Sequence, residues 1–266
     1  MTIREKRLGR VIGLTRERSK VSESVRLKAV DYATMNIKGA LQDADIIFIC
    51  YPIRYIIPEL KKIIRFVKPG AIITDVGSTK ESIVKQAEKI VPKNIYFIGG
   101  HPMAGKEKTG LDAADKNLFH NRNYILTATG RTNKKSLGVI KKLISSIGAK
   151  VQILDPGTHD NIVAGISHLP VAVASALVGS VVLSEKLTSS MIKFASSGFQ
   201  DTTRIASGDP MLGSDMFTTN KGAVLSSLKI FKRSLAEIED LIKKGDHSAI
   251  ERKLAGLKSF RDSIYK

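Results

Sequence analysis

Residues 71–99 read AIITDVGSTKESIVKQAEKIVPKNIYFIG, and this stretch indicates the fold class most clearly. It begins and ends with runs rich in isoleucine, at 71–75 and 95–99, that show no polar alternation. Such runs are typical of strands that are buried on both faces of a parallel sheet. Between them, residues 79–91 have the apolar spacing of an amphipathic helix that stops at Pro92. A strand–helix–strand unit of this kind predicts an α/β fold.

Similar isoleucine- and valine-rich runs lie on both sides of this unit. They occupy residues 10–14, 46–50, 124–127 and 150–154. A helical segment at 58–67 separates the second of these runs from the central unit, so strands and helices alternate along the chain. We therefore predict a doubly wound parallel, Rossmann-like sheet in a dinucleotide-binding domain that covers residues 1–155.

The pattern changes after Pro156. Strand-like runs vanish, and apolar residues such as Leu225, Leu228 and Phe231 recur at three- and four-residue steps. This spacing is typical of amphipathic helices that pack one face against a neighbour. We predict that residues 156–266 form an all-helical domain, which follows the dinucleotide-binding domain.

The composition excludes several classes of protein. With 42% hydrophobic residues, the 266-residue chain has enough apolar surface to fold. A single cysteine, Cys50, excludes a disulfide framework or a multi-cysteine metal site, and we predict no bound metal. The longest apolar stretch, at 171–183, has about 13 residues, against about 20 needed to cross a bilayer. The N-terminus lacks the apolar core of a signal peptide, so we expect a cytoplasmic protein with no membrane partner.

The chain is strongly basic, with 43 Lys and Arg against 25 Asp and Glu and a net charge of +18. Such a charge is compatible with nucleic-acid binding. However, the basic residues are spread along the chain, and only 6% of residues are aromatic, so there is no evident stacking platform for bases. We therefore predict no nucleic-acid partner.

Polar side chains follow two strands of the predicted sheet. Ser78 comes after the run 71–75, and His101 comes after 95–99, between glycines and a proline. Ligands of open parallel sheets bind beyond the carboxyl ends of the strands, so both side chains are expected in the ligand crevice. A neutral imidazole there can accept a proton from a substrate hydroxyl during hydride loss, and we predict that His101 and Ser78 are catalytic. The alternatives are a helix N-cap for Ser78 and a structural loop histidine.

The run 10–14 is followed by Thr15, Arg16 and Arg18. At this position of a dinucleotide-binding fold an acidic residue usually holds the ribose hydroxyls, whereas guanidinium groups pair well with a 2′-phosphate. The pattern favours NADP over NAD, unless these residues only begin a solvated helix. Gly77 permits the main chain to approach a ligand closely. The predicted coenzyme contacts are Thr15, Arg16, Arg18, Pro52, Gly77 and Ser78.

Five motifs make the chain resemble a known family. They are Asp75-Val-Gly-Ser-Thr-Lys80, Gly99-Gly-His-Pro-Met-Ala-Gly105, His159-Asp160, Ile166-Ser-His-Leu-Pro170, and ASSGFQDTTRIA at residues 195–206. Their order and spacing, from near residue 8 almost to the C-terminus, resemble the prephenate/arogenate dehydrogenases of tyrosine biosynthesis.

The resemblance implies the oxidative decarboxylation of arogenate or prephenate, with hydride transfer to NADP or NAD. In that reaction His101 would accept the hydroxyl proton, Ser78 would steady His101 or the hydroxyl, and Arg204 would bind a substrate carboxylate. His168 and Glu107 are further candidate substrate contacts, with a core histidine as the alternative for His168. The resemblance also implies a homodimer that forms through the helical domain.

Two departures from the family pattern bear on the substrate. Val171 stands where many prephenate-using members have a second histidine, and Gly213 stands where a tryptophan is common. Both changes resemble the NADP-using, arogenate-specific branch of the family. Since the loss of a cationic contact suits a substrate that carries an ammonium group, the sequence favours arogenate.

No Gly-x-Gly-x-x-Gly motif occurs in the sequence. By resemblance, the chain opens near the end of the first helix of such a domain, so the sheet is predicted to lack its first strand, between the runs 10–14 and 46–50. One interpretation is that the recorded start is internal to a longer reading frame, which the intact downstream motifs favour. The other is a truncated, non-catalytic remnant that folds or dimerises without binding a cofactor.

Overall fold

The computed structural model describes residues 1–105 and 110–264, and every predicted strand run contains a strand. The strands are β1 (Ile12–Leu14), β2 (Tyr32–Thr34), β3 (Ile46–Ile49), β4 (Ile72–Asp75), β5 (Tyr96–Pro102), β6 (Asn123–Thr127) and β7 (Lys150–Leu154). Only β2 has no counterpart in the sequence prediction, because a three-residue strand with the sequence YAT contains no apolar run.

These strands form two sheets. β1 pairs in parallel with β2, and the other five strands pair in the order β3-β4-β5-β6-β7. Since β3, β4 and β5 are parallel and helices lie between them in the chain, the predicted doubly wound fold is confirmed. The break between the two sheets lies between β1 and β3, where the sequence predicts that a strand is missing.

β6 corrects one part of the prediction, because it runs antiparallel to β5, with His101 opposite Ile125. β7 is in turn parallel to β6. A parallel neighbour requires a crossover of a dozen or more residues, usually a helix. The described part of the connection from β5 to β6 holds only a 3-10 turn, Leu111–Ala113, so the chain re-enters the sheet from the same end.

The helices that accompany the sheets are α1 (Thr2–Glu5), α2 (Arg18–Arg26), α3 (Ile37–Leu41), α4 (Ile53–Ile63), α5 (Glu81–Ile90) and α6 (Lys134–Ser146). α5 confirms the helix predicted over 79–91. The predicted start of the preceding helix at Pro58 is wrong, because α4 begins at Ile53 and contains Pro58. Burial of the α4 face that includes Ile56 and Leu60 offsets the hydrogen bond that a proline cannot donate.

Apolar clusters cover both faces of the larger sheet. Ile73 packs with Ile56 of α4 and Ile83 of α5, whereas its neighbour Ile72 packs with Ile140 of α6. Because successive residues of a strand point to opposite faces, β4 is buried on both sides, as its sequence predicts. Burial of each such isoleucine contributes about 1.5–3 kcal/mol. The carboxyl end of β4 is therefore firmly anchored in the core.

The described residues from 156 to 264 form helices and no strand, as predicted. The helices are α7 (Pro156–Val163), α8 (Leu169–Leu183), α9 (Thr188–Phe194), α10 (Ser197–Thr203), α11 (Pro210–Thr219), α12 (Lys221–Lys244) and α13 (His247–Ile264). A π-helical turn, Ala164–His168, joins α7 to α8. The domain boundary predicted at residue 155 stays a prediction, since the backbone divides into the compact units Met1–Lys221 and Gly222–Lys266.

The segment Pro156–Leu183 is one continuous helix of 28 residues, and an 18-residue stretch within it has a mean hydropathy of 1.9. By length and composition alone it is the one helix of the described ranges that could cross a membrane, and 11% of its apolar stretch is buried. Its first part packs on α5 and β6 and contains the buried polar residues His159 and Asp160. Its exposed apolar residues, such as Val182 and Leu183, lie at the other end.

The second compact unit consists of α13 and most of α12. Lys253 of α13 places its Nζ 2.8 Å from Oε2 of Glu237 on α12, which links the two helices. Large apolar side chains, including Ile242 and Phe260, are exposed on this pair of helices.

Candidate active site

Asp75, the last residue of β4, organises the site. Its side chain is fully buried, and its carboxylate accepts hydrogen bonds from the main-chain N–H of Gly77 at 2.9 Å and of Gly100 at 3.1 Å. The same carboxylate forms an ion pair with the buried ammonium group of Lys80. The residue before Ser78 and the residue before His101 are therefore bonded to one side chain.

At Gly100, β5 approaches the end of β4 so closely that a side chain would not fit. A Cβ atom at Gly100 would lie 2.7 Å from the carbonyl oxygen of Asp75 and 2.9 Å from Oγ1 of Thr74. The carbonyl oxygen belongs to the main chain at the buried end of β4, so it cannot give way without distorting the strand.

Ser78 lies in the short loop between β4 and α5. Its Oγ is buried and has no hydrogen-bond partner among the described residues. The N-cap residue of α5 is Lys80, so the alternative of an N-cap role for Ser78 does not hold. The free N–H groups at the start of α5 are instead satisfied by Asp160 of α7, which accepts from Lys80 N at 2.7 Å and from Glu81 N at 2.9 Å.

His101 lies within β5 and not in a loop after it, which corrects the sequence prediction. The antiparallel pairing with β6 extends β5 to Pro102. The His101 side chain is 8% exposed, and its Nδ1 lies 2.8 Å from Nε2 of His159. Burial, followed by the charges of His159, Lys80 and His168, holds the pKa of His101 well below its ordinary value of 6.5.

His159 and Asp160 are adjacent on α7 and continue this chain of contacts. Nδ1 of His159 lies 2.7 Å from Oδ1 of Asp160. Both side chains are almost fully buried. In the sequence, His159 and Asp160 are part of a family motif, and only the fold brings His159 into contact with His101.

His168 lies on the π-helical turn and is fully buried. Its Nδ1 lies 3.3 Å from Nδ2 of Asn220, and the same Asn220 nitrogen donates to the carbonyl oxygen of Asp160 at 2.7 Å. Nε2 of His168 makes no hydrogen bond of regular geometry within the described ranges, and a contact with the main chain of Ser78 acts to raise the pKa of His168. Burial lowers that pKa from 6.5 to about 4. His168 therefore belongs to the same cluster as Ser78.

Arg204 and Glu107 are the remaining predicted substrate contacts. Arg204 is exposed on the 3-10 turn Arg204–Ser207, which packs against α8. Glu107 lies outside the described residues. The roles of both residues in substrate binding stay predictions.

The predicted coenzyme contacts lie at the ends of other strands. Thr15 follows β1, and its Oγ1 accepts from the N–H of Glu17 at 3.2 Å. Arg16 pairs with Glu59 and places its guanidinium 5.0 Å from the centre of the Tyr51 ring, so it is already engaged with protein groups. Arg18 is exposed at the start of α2.

Arg18 also lines a cavity of about 710 Å³ beside β2. The other residues that line this cavity are Val21, Ser22, Tyr32, Ala33, Thr34 and Met35. A guanidinium group, hydroxyl groups and an aromatic ring are the chemistry that the adenosine end of a dinucleotide requires.

Two further coenzyme predictions concern the central strands. Pro52 is exposed at the N-cap position of α4, directly after the strand β3 and its following turn. Gly77 is crowded by protein, since a Cβ there would lie 2.8 Å from Cδ1 of Ile56 and 3.0 Å from Cδ1 of Ile83. Protein side chains thus lie close to Gly77, and a coenzyme contact at Gly77 stays a prediction.

A nicotinamide coenzyme fits the residues that are present. At one end, the buried Oγ of Ser78 and Nε2 of His168 have no partner among the described residues. A buried polar atom without a hydrogen bond is costly, so such atoms point to a ligand that supplies the bond. At the other end, Arg18 borders the cavity beside β2.

Known proteins resemble this chain along both of its parts. Residues 2–153 match the model for the nucleotide-binding domain of prephenate dehydrogenase, and residues 155–256 match the model for its dimerization domain. The prephenate dehydrogenase of Bacillus subtilis is 31% identical over 96% of this chain, and the match covers 69% of that relative.

Two solved structures share the whole fold. The arogenate dehydrogenase of Synechocystis is 36% identical with a TM-score of 0.86, over 99% of this chain and 94% of that chain. The prephenate dehydrogenase of A. aeolicus, in complex with hydroxyphenyl propionate and NAD+, is 31% identical with a TM-score of 0.91, over 99% of this chain and 92% of that chain. With both domain models matched and the chemistry-bearing side chains gathered at the ends of β4 and β5, the chain belongs to the prephenate dehydrogenase family of NAD(P)-dependent oxidoreductases.

Proposed function

We propose that this chain catalyses the oxidative decarboxylation of arogenate, or of prephenate, with hydride transfer to NADP or NAD. The observation that carries the proposal is the neutral, buried His101, which Asp75 ties to the loop of Ser78. A buried histidine that stays neutral at neutral pH can accept a proton at once, which is what oxidation of a substrate hydroxyl requires.

The reaction needs few protein groups. A bound nicotinamide coenzyme supplies the hydride acceptor. As hydride leaves the carbon that carries the hydroxyl, His101 accepts the hydroxyl proton, the ring carboxylate departs as CO₂, and the ring becomes aromatic. The phenolate oxygen formed in this way takes the proton back from His101, which restores the neutral base. Ser78, whose Oγ has no partner in the described parts of the chain, donates a hydrogen bond that orients the reacting groups.

The preference for arogenate rests on the two departures in the helical region. Val171 packs against the apolar cluster that includes Met216 and therefore cannot offer a charge to the substrate. Gly213 is half-buried on α11 and supplies no ring.

The preference for NADP rests on Arg18 and, to a lesser degree, on Arg16 and Thr15. Arg18 is exposed beside the cavity at β2, where it can pair with a 2′-phosphate. Arg16 pairs with Glu59, so it can contact a phosphate only by sharing or exchanging that partner.

A homodimer is the expected assembly, and a cytoplasmic location stays the prediction from sequence. The model for residues 155–256 describes a dimerization domain. Large apolar side chains are exposed on α8 and α9, among them Leu183, Ile192 and Phe194. Since a second copy can cover such a surface, a dimer is expected in light scattering, and a monomer at micromolar concentration would contradict it.

The catalytic proposal is tested by steady-state rates with arogenate and with prephenate, each with NADP+ and with NAD+. We expect the highest kcat/KM with arogenate and NADP+. A clear preference for prephenate would contradict the substrate assignment. Absence of turnover with all four pairs would favour the non-catalytic remnant, for which the intact cluster of Ser78 and His101 gives no support.

A further inference from the structure

We propose that His159 and Asp160 are positioning residues that fix the tautomer of His101, so that Nε2 of His101 is the atom that accepts the substrate proton. The inference rests on the proposed function, because it names the reacting nitrogen of the same site. The positions of the ring hydrogens on His101 and His159 can be measured without substrate.

The argument starts at Asp160. Its Oδ1 accepts from Lys80 N at 2.7 Å and its Oδ2 accepts from Glu81 N at 2.9 Å, and main-chain N–H groups only donate. Both bonds lie at the N-terminus of α5, where the helix dipole favours a negative charge. The carboxylate is therefore an acceptor toward each of its neighbours.

The hydrogen on His159 follows from that. Its Nδ1 lies 2.7 Å from Oδ1 of Asp160, so Nδ1 carries the hydrogen and donates it. A neutral imidazole has one donor and one acceptor nitrogen, which leaves Nε2 of His159 as the acceptor.

The hydrogen on His101 follows in the same way. Its Nδ1 lies 2.8 Å from the acceptor Nε2 of His159, so Nδ1 of His101 carries the hydrogen. Nε2 of His101 is then the nitrogen with a free lone pair. A second proton on His159 would reverse this bond and place the hydrogen of neutral His101 on Nε2, which would remove the base.

The surroundings keep this arrangement in place. His101 faces His159, His168 and the ammonium group of Lys80, while the carboxylates are Asp75, paired with Lys80, and Asp160, bonded to His159. When His101 accepts the substrate proton, its Nδ1–H still donates to His159, and the negative charge of Asp160 acts through that ring. The chain of contacts from Asp160 through His159 to His101, called the relay below, thus orients the base.

Asp160 is held by other bonds, so the relay is anchored to three elements. Its carboxylate bonds to the start of α5, its carbonyl oxygen accepts from Asn220 after α11, and its neighbour His159 contacts β5. This anchoring explains why buried polar groups persist here instead of an apolar core.

The kinetic test uses three variants and one control. In Asp160→Asn, an amide oxygen held by the N–H of Glu81 places the NH₂ group at the position of Oδ1, where it donates to Nδ1 of His159 and reverses the relay. We therefore expect kcat to fall about 10²–10⁴-fold while KM changes less than about threefold. His159→Leu has the same effect. His159→Gln retains a donor toward Asp160 and an acceptor toward His101, so it keeps kcat within about tenfold of the parent. The control His247→Asn, at an exposed histidine of α13, changes neither constant.

The second measurement is the ¹⁵N spectrum of the histidine-labelled protein, with His101 assigned from the His101→Asn variant. We expect hydrogen on Nδ1 of His101 in the parent and on Nε2 in Asp160→Asn. Hydrogen on Nε2 in the parent, or unchanged kcat in both Asp160→Asn and His159→Leu, overturns the relay. Because the spectrum needs no turnover, it decides the tautomer even if the proposed reaction fails, and failure of the reaction alone shows as inactivity of the parent.

Discussion

The ends of β4 and β5 differ sharply from the ends of β1 and β2, although both border the expected ligand crevice. At β4 and β5 the polar side chains of Asp75, Lys80 and His159 are almost fully shielded from solvent. At β1 and β2 the charged side chains of Arg16 and Arg18 are exposed.

The two regions control different properties, which are proton transfer in the buried cluster and coenzyme preference at the exposed strand ends. In the buried cluster, water is excluded and each charge acts strongly on its neighbours, so proton transfer depends on fixed bonds. At the exposed strand ends, salt and water weaken each charge, so a single arginine can tune coenzyme preference without disturbing the fold.

The largest expected effect comes from removing the base. His101→Asn is expected to lower kcat/KM about 10²–10⁴-fold, because general base catalysis contributes on that order. The measurement is a steady-state rate with the preferred substrate, together with circular dichroism to show that the fold is retained. A rate within tenfold of the parent would remove His101 from the mechanism.

The next effect is on stability. Asp75→Asn leaves the ammonium group of Lys80 buried without its partner, and the free energy of unfolding is expected to fall by about 3–5 kcal/mol. Urea denaturation measures it. The matched control is Glu239→Gln, which breaks an exposed pair with Lys243 on α12 and is expected to cost less than about 0.5 kcal/mol. Equal losses in the two variants would show that burial does not make the Asp75–Lys80 pair more important for stability than an exposed pair.

A third effect concerns pH. The pKa of His168 is about 4 in the folded chain and near 6.5 when exposed, so below pH 6.5 the unfolded chain binds a proton that the folded chain does not. Stability therefore falls as the pH decreases from about 6.5 to about 4, by up to about 3 kcal/mol from this residue. His101, whose pKa is also lowered, adds in the same direction.

Urea denaturation at pH 7 and pH 5 measures this dependence. His168→Asn is expected to flatten it, whereas His247→Asn, at an exposed histidine, is expected to leave it unchanged. The same slope in His168→Asn and the parent would contradict the role of His168.

The smallest effect is on coenzyme preference. Arg18→Ala is expected to lower the ratio of kcat/KM for NADP+ over NAD+ by about 3–10-fold, with a smaller change at high salt, because the arginine is exposed. The control is Arg26→Ala at the other end of α2, about 12 Å along the helix axis. An unchanged ratio in Arg18→Ala would place the selection of coenzyme elsewhere.

Much of the fold could be predicted from local pattern. The run 150–154 forms β7 with the predicted bounds, and 79–91 contains α5, because strand and helix periodicity is a property of neighbouring residues. β2 was not predicted, because a strand of three residues is too short to show the alternating pattern of a strand. Likewise, the sequence could not reveal that β6 runs antiparallel to β5, which depends on how the chain returns to the sheet.

The site divides in the same way. The sequence alone identified Ser78 and His101 as chemistry-bearing residues, because their types and their places after strands are local facts. His168 became a candidate through a motif that resembles the family. Only the tertiary structure joined His101 to His159, which is 58 positions away, and Asp160 to Lys80, which is 80 positions away. Hydrogen bonds and pKa shifts depend on which groups meet and on how much water remains between them, and packing decides both.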